Sequence, residues 1–373
     1  MLPNRDKPAE PLIDERPNKV LKPQDRESDS SREKISCGFG GTMTAGGSAT
    51  MRRSGVAVLI LLGAALSSAA EPAKPFFVLR EAGKGVWAAI AIPGMHAGGN
   101  AGFIVGSDAV AVVDTFDPPE ATEQLMAAIR EKTAAPIRFV VDTHYHVDHI
   151  AGNGLFARAG AVVMAQRNVR AWARTENRRI LLPPVSDEEL RRIDQIVLPT
   201  LVYDDGVELD LGGRRVVVRV MPGHTGGDSV VVVPDAKVVF TGDLFWDHSL
   251  PNLVDADTAA QIATLETLAR DYPDAKFVPG HGRFLPRPDL DSWDLARASD
   301  LTALRDYLAA LRQAVKAARD SGKSGSALRD DVLPKIRARF GDWFAFDFFA
   351  AKNIEQTEAE LAGTKDRPKP EPR

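Results

Sequence analysis

VVDTHYHVDHIAGN, running from Val140 to Asn153, places His144, His146, Asp148 and His149 within six positions. The chain has only seven histidines. Three of them on one loop mean either that a metal sits there or that this is a solvated turn rich in imidazole. On an extended stretch side chains alternate, so His144 and His146 can face one side. Asp148 and His149 follow once the chain has turned. Alone, the run decides nothing.

Three other places decide it. His224 lies in VMPGHTGGDS, Asp243 in FTGDLF and His281 in FVPGHG. Each follows a valine-rich run that reads as a strand, and each is set in a glycine-containing turn. Four separate strands therefore deliver candidate ligands from their C-terminal ends onto loops, where sites usually lie. Imidazole nitrogen and carboxylate oxygen are donors that zinc takes. Seven such side chains are too many for one tetrahedral ion and suit two ions sharing a carboxylate bridge. Five of the seven histidines are then used. Asp142, just before the cluster, could accept an imidazole N–H or equally end a strand in a turn.

Around these positions the pattern is layered. FFVLREA, VWAAIAI, GFIVG and AVAVVDT read as strands, PPEATEQLMAAIREKT as a helix and IRFVVDT as a strand. AVVMA is a strand, QRNVRAWARTENRR a basic helix, and SDEELRRIDQIV a helix with Ser186 and Glu189 at capping-box distance. TLVYDD, VELDL, RRVVVRV, DSVVVV and KVVFTGD follow as strands. DADTAAQIATLETLARDYP is helical and KFVPG is a final strand. Strands then helices, twice over, predict two sheets with helices outside them, an α/β sandwich. After Pro288 the chain turns helical, with Leu301, Leu304, Leu308, Leu311 and Val315 in one apolar stripe. FGDWFAFDFF is explained most simply as core packing against the main domain.

The front of the chain differs. Residues 1–50 are charged and proline-rich and lack apolar periodicity, so they read as a disordered extension, one that is not translated where Met51 is the initiator. MRRSGVAVLILLGAALSSAAEPAKP, from Met51, has a basic start, an apolar run and small residues before a cleavage point, the pattern of a secretory signal peptide. Met51 reads as the initiator, export to the periplasm or medium follows, and the mature chain begins near Glu71. The one cysteine, Cys37, precedes the signal, so disulfides are not expected. The expected organisation is an extension at 1–50, a signal at 51–70, a catalytic domain at 71–290, a helical region at 291–363 and a disordered tail at 364–373. A net charge of −4 implies no attraction to nucleic acid or anionic lipid. No stable membrane insertion is expected once the signal is cleaved, and the partner is a small-molecule substrate.

THYHVDH, GHTGGDS, TGDLF and PGHG, in that order over about residues 76–288, resemble the metallo-β-lactamase superfamily. The resemblance implies a four-layer αββα sandwich, here with a C-terminal helical extension, and two zinc ions, iron or manganese being the other metals such a site could take. His144, His146 and His224 would hold the first metal, Asp148, His149 and His281 the second, and Asp243 would bridge them. A metal-bound hydroxide would attack a carbonyl carbon of an ester, thioester, lactone or amide, with Asp148 as the catalytic carboxylate. His96 on an early glycine-rich loop, Trp246 and His248 are candidate substrate contacts. β-Lactamases of the first two subclasses use a cysteine where this chain has Asp243, and the third lacks a bridging aspartate. Asp243 resembles glyoxalase II and lactonases, although the basic glutathione-binding run of the former is not evident. β-Lactam hydrolysis remains one alternative. Another is a mononuclear iron oxidoreductase of the persulfide dioxygenase kind, against which the full donor set argues.

Overall fold

The computed structural model describes residues 74–181, 184–282 and 295–368. The extension, the signal pattern and Cys37 lie outside them, as do the last five residues of the tail. Four strands open the first sheet: β1 (Phe77–Gly83), β2 (Val86–Ala91), β3 (Ala101–Val105) and β4 (Val110–Val113). Helix α1 (Pro119–Lys132) leads to β5 (Ile137–Val141). Two short helices, α2 (Val147–Ile150) and α3 (Asn153–Arg158), lead to β6 (Val162–Gln166). Three more, α4 (Arg167–Trp172), α5 (Thr175–Arg179) and α6 (Asp187–Gln195), precede β7 (Leu201–Tyr203). The order is sequential, antiparallel through β4 and parallel from β4 to β7.

The second sheet holds β8 (Gly206–Asp210), β9 (Arg215–Val220), β10 (Ser229–Val233) and β11 (Val238–Asp247), all antiparallel. Helix α7 (Thr258–Asp271) carries the chain back to β12 (Lys276–Gly282), parallel to β11. Helices α8 (Ala298–Asp320), α9 (Gly325–Phe340) and α10 (Phe346–Ala362) follow.

The valine runs show why these strands stack. All five residues of β10 are buried. Val231 and Val233 pack toward the first sheet with Ala88, Ile104 and Val113. Val230 and Val232 pack the other way, onto Leu265, Leu304 and Leu308 of the helices. A strand covered on both faces needs apolar residues at every position, so it reads as a continuous run without alternation. The outer face of the first sheet packs Phe103, Val112 and Val140 against Leu125 and Ile129 of α1. Four layers result, helix–sheet–sheet–helix, as the sequence pattern predicts. The stripe of α8 and the helices α9 and α10 share one core with β10, β11 and α7.

Three local expectations change. QRNVRAWARTENRR forms two short helices instead of one. The break aims Asn177 at the histidine loop, where its side chain donates to the Tyr145 carbonyl (2.6 Å) and accepts from Val147 N–H (2.9 Å). The stretch from Val147 onward, with no expected helix, coils into α2, which carries Asp148 and His149, and α3. FGDWFAFDFF divides: Phe340 and Phe346 enter the core, while Phe344 and Phe348 are 48% and 58% exposed. The Ser186–Glu189 capping box forms as read. Among the described residues no helix is long and apolar enough to cross a membrane.

Leu304 is fully buried between α8 and the second sheet. Leu304→Ala is expected to cost about 3 kcal/mol through lost apolar contact and a residual cavity. Phe348→Ala should cost under about 1 kcal/mol, because little of the ring is withdrawn from water. Chemical denaturation of both variants checks the pair.

Candidate metal centre

The strand ends deliver the histidine loop and then bend it. Beyond β5, Thr143 ties to both sheets: its carbonyl accepts from Ser229 N–H at 2.8 Å and its N–H donates to Asp114 at 2.8 Å. His144 and His146 then face one side, with ring centroids 4.8 Å apart, while Tyr145 between them packs on Trp172. Helix α2 turns Asp148 and His149 back toward the same point. Asp243 lies within β11 and His281 within β12, inside the strands rather than beyond them. Two glycines make room. A Cβ at Gly280 would collide with Asp243 Oδ1, and one at Gly99 would strike the His149 ring.

The outer nitrogens of three of the five rings are held, which turns their inner nitrogens toward the cluster, while His224 Nδ1 has no hydrogen-bond partner among the described residues. His149 Nδ1–H donates to Asp114 (2.9 Å). His144 Nδ1–H donates to the Thr143 hydroxyl (3.1 Å), which in turn donates to Asp114 (2.8 Å). His146 Nε2–H donates to Asp255 (3.2 Å), which also accepts from the Tyr145 hydroxyl (2.6 Å) and from Arg179. Asp142 orients no imidazole; it accepts from Asn153 Nδ2 at 2.8 Å. Sequence reasoning missed Asp114 and Asp255.

The freed donors converge in two groups. His224 Nε2 is 3.0 Å from His146 Nδ1 and 3.3 Å from Asp243 Oδ2, and His144 Nε2 is 3.6 Å from the same oxygen. His281 Nε2 is 3.3 Å from His149 Nε2 and 3.2 Å from Asp148 Oδ2. Asp243 reaches the second group too, with Oδ1 3.1 Å from His149 Nε2 and Oδ2 3.4 Å from His281 Nε2. Donors sharing a tetrahedral zinc at about 2.0–2.2 Å stand roughly 3.3–3.6 Å apart. Buried His144 Nε2 and Asp243 Oδ1 have no hydrogen-bond partner among the described residues. A buried polar atom without a partner is costly, so the donor set fits divalent cations in both groups.

Electrostatics separates the halves. Burial holds His224 down at about 3 and His144 well below the usual histidine range. At His281 burial acts in the same direction, but the Asp243 and Asp148 carboxylates push it up to about 9. His149 is raised for the same reason, against its burial, by Asp243, Asp148 and Asp114. Asp148 and Asp243 resist the upward pull of burial because imidazoles surround them, and both stay below the usual carboxylate range. Burial first, then the neighbouring Asp114, pushes Asp142 well above that range.

A cleft of about 610 Å³ opens over the cluster, reaching His146, Asp148, Asp243 and His281. His96 and Trp246 line it. His248 is not among the lining residues; its ring binds Asp247 at 2.7 Å and packs on Trp343. Phe344, Phe348 and Phe349 line the cleft and were not foreseen there.

The sequence signature described as the metallo-beta-lactamase superfamily matches residues 96–281. The chain is 28% identical over 215 residues to a hydroxyacylglutathione hydrolase of Brucella ovis, covering 56% of this chain and 74% of that protein. It is 27% identical over 183 residues to the protein of that name from Brucella anthropi, covering 49% and 61%. Among solved structures, a metallo-beta-lactamase from Pontibacter korlensis matches with a TM-score of 0.50 and 23% identity, covering 62% of this chain and 99% of that one, a likeness of fold. The chain belongs to the metallo-β-lactamase superfamily, and these relatives support a hydrolase.

Asp114→Asn should weaken divalent-metal binding about 10- to 100-fold, since the His149 ring loses its charged partner. Asp142→Asn should change it little, because burial already favours an uncharged group there. Metal binding must also displace the protons that the carboxylates favour on His149 and His281, so affinity should rise with pH through about 9. Calorimetric zinc titrations across pH test all three statements.

Proposed function

We propose that the protein is an exported, dinuclear, zinc-dependent hydrolase that cleaves an ester, thioester, lactone or amide. The observation that carries this reading is the pair of donor groups joined through Asp243. Five imidazoles and two carboxylates are a donor set suited to zinc. The signal pattern at 51–70 supports export. The names of the Brucella relatives support a thioester among the substrates.

His144, His146 and His224 would hold one ion, Asp148, His149 and His281 the other, and Asp243 both. Bound cations would supply Lewis acidity, polarising a carbonyl and lowering the pKa of water at the site. Asp148 is the member whose side chain is most exposed to the cleft, at 28%. It orients the attacking water and accepts its proton. The bond from carbonyl carbon to the leaving oxygen, sulfur or nitrogen breaks, and Asp148 returns the proton to that atom. Trp246 lies 4.0 Å from the His281 ring and screens that side of the cluster from solvent. The single-iron oxidoreductase alternative would leave one of the two donor groups without a use. A β-lactam, as a cyclic amide, falls within the same chemistry.

Elemental analysis of the purified mature chain is expected to find about two divalent ions per molecule. Asp243→Ala should lose metal from both groups and abolish hydrolysis. His248→Ala should keep its metal and at most alter substrate handling. A single tightly bound iron in the parent, or an Asp243→Ala variant with full metal and activity, would falsify the dinuclear hydrolase.

A further inference from the structure

The C-terminal aromatics form a continuous row that ends at the metal cluster. Phe348 packs edge-on against Phe349 (4.7 Å), Phe349 edge-on against Trp246 (5.8 Å), and Trp246 leans on His281 (4.0 Å). Of the large hydrophobic side chains exposed on the described surface, Phe344 and Phe348 are the only aromatic ones, and both line this cleft. Their position is built in. Phe344 pairs with the loop after β11, donating to the His248 carbonyl (3.1 Å) and accepting from Leu250 N–H (3.0 Å). Ala345 then takes a left-handed turn (φ 59°) that starts α10 and turns Phe348 and Phe349 toward the cluster. Exposed apolar side chains that adjoin one another along a cleft mark a binding surface where scattered ones do not.

The charge of the cleft is equally specific. Among the described lining residues there is no lysine or arginine; the titratable ones are His96 and members of the metal cluster. Lys352 Nζ stands 4.4 Å over the Phe348 ring but outside the lining, so away from the metal cluster the lining offers an anionic group such as a glutathione carboxylate no cation to offset its lost hydration. An uncharged aromatic or alkyl group would instead cover the exposed rings.

Building on the hydrolase reading above, we propose that the substrate is a carbonyl compound bearing a bulky, uncharged aromatic or alkyl group. That group lies along Phe348, Phe349 and Trp246, and its carbonyl carbon reaches the cluster beside His281. Phe348 and Phe349 are specificity-determining residues, supplied by the C-terminal helix.

The test compares three thioesters on the metal-loaded full chain: the N-acetylcysteamine thioesters of acetate and of 4-phenylbutanoate, and S-lactoylglutathione. The arylacyl thioester should be preferred over the other two by roughly tenfold or more in kcat/KM, the scale of one well-packed apolar group. Phe348→Ala should cut the arylacyl-to-acetyl ratio about 5-fold, chiefly through KM, and Phe348→Leu should restore part of it. Calorimetry with 5-phenylpentan-2-one, a non-hydrolysable ketone of the same shape, reads binding without chemistry. Ketone binding that Phe348→Ala weakens, with no thioester turned over, would support the apolar subsite while counting against the hydrolase reading. Turnover led by S-lactoylglutathione, or kinetics and ketone binding indifferent to Phe348, would overturn the subsite and leave the hydrolase standing. A parent dimer that Phe348→Ala dissociates, with unchanged arylacyl preference, would also overturn it and assign the wall to a second copy of the chain.

Discussion

The carboxylate of Asp114 fixes the lie of the whole histidine loop. It accepts the Thr143 N–H, the Thr143 hydroxyl and the His149 ring N–H, all in buried surroundings. Through the Thr143 hydroxyl it also governs the tautomer of His144. Asp114 itself sits at φ 57°, a region that L residues other than asparagine and aspartate seldom visit. That conformation costs on the order of 1–3 kcal/mol. Hydrogen bonds to a charged group contribute about 1.5–3 kcal/mol each, so three of them outweigh the strain. The backbone at the end of β4 is thus bent to place one carboxylate, and that carboxylate aims two imidazoles.

The donors themselves were legible in the sequence because each is a chemically committed residue on or just after a valine-rich run, three of them beside glycine. What orients them was not. Asp142 is the nearest acid in the chain, yet strand alternation sends it the wrong way. Val140 and Asp142 face α1 and α3, where Asn153 meets Asp142, while Val141 and Thr143 face the second sheet. Asp114 and Asp255 act from 35 and 109 residues away from their histidines. In sequence each looks like any acid ending an element, and only the tertiary fold gives it a partner.

The layers were readable for a related reason. Strands buried on both faces announce themselves as unbroken valine runs, and helix α8 by its leucine stripe. The short helices were not readable, because their cause is a contact and not a pattern. The break between α4 and α5 exists where Asn177 must turn to hold the carbonyl of Tyr145 and the N–H of Val147. The aromatic run at 340–349 hid its division in the same way. Its composition suits a core, but the left-handed turn at Ala345 sends successive rings to different places.

Helix α10 therefore acts on the cluster from two sides. Behind it, the buried Asn353 side chain donates to the Pro251 carbonyl (2.9 Å) and accepts from Leu253 N–H (3.3 Å). Just beyond the helix, Lys365 Nζ donates to the carbonyls of Leu253 (2.6 Å) and Ala256 (2.5 Å). These bonds clamp the loop that carries Asp255, and Asp255 holds His146. In front, Phe348 and Phe349 wall the cleft. Groups that share one rigid helix cannot shift independently, so a change that moves α10 to reshape the cleft also pulls on the Asp255 loop. Side-chain exchange at Phe348 escapes this coupling, because the ring stands in the cleft while the residues that clamp the loop lie further along the helix and beyond its end. The arrangement lets the apolar wall vary by substitution while the clustered imidazoles stay where Asp114 and Asp255 hold them.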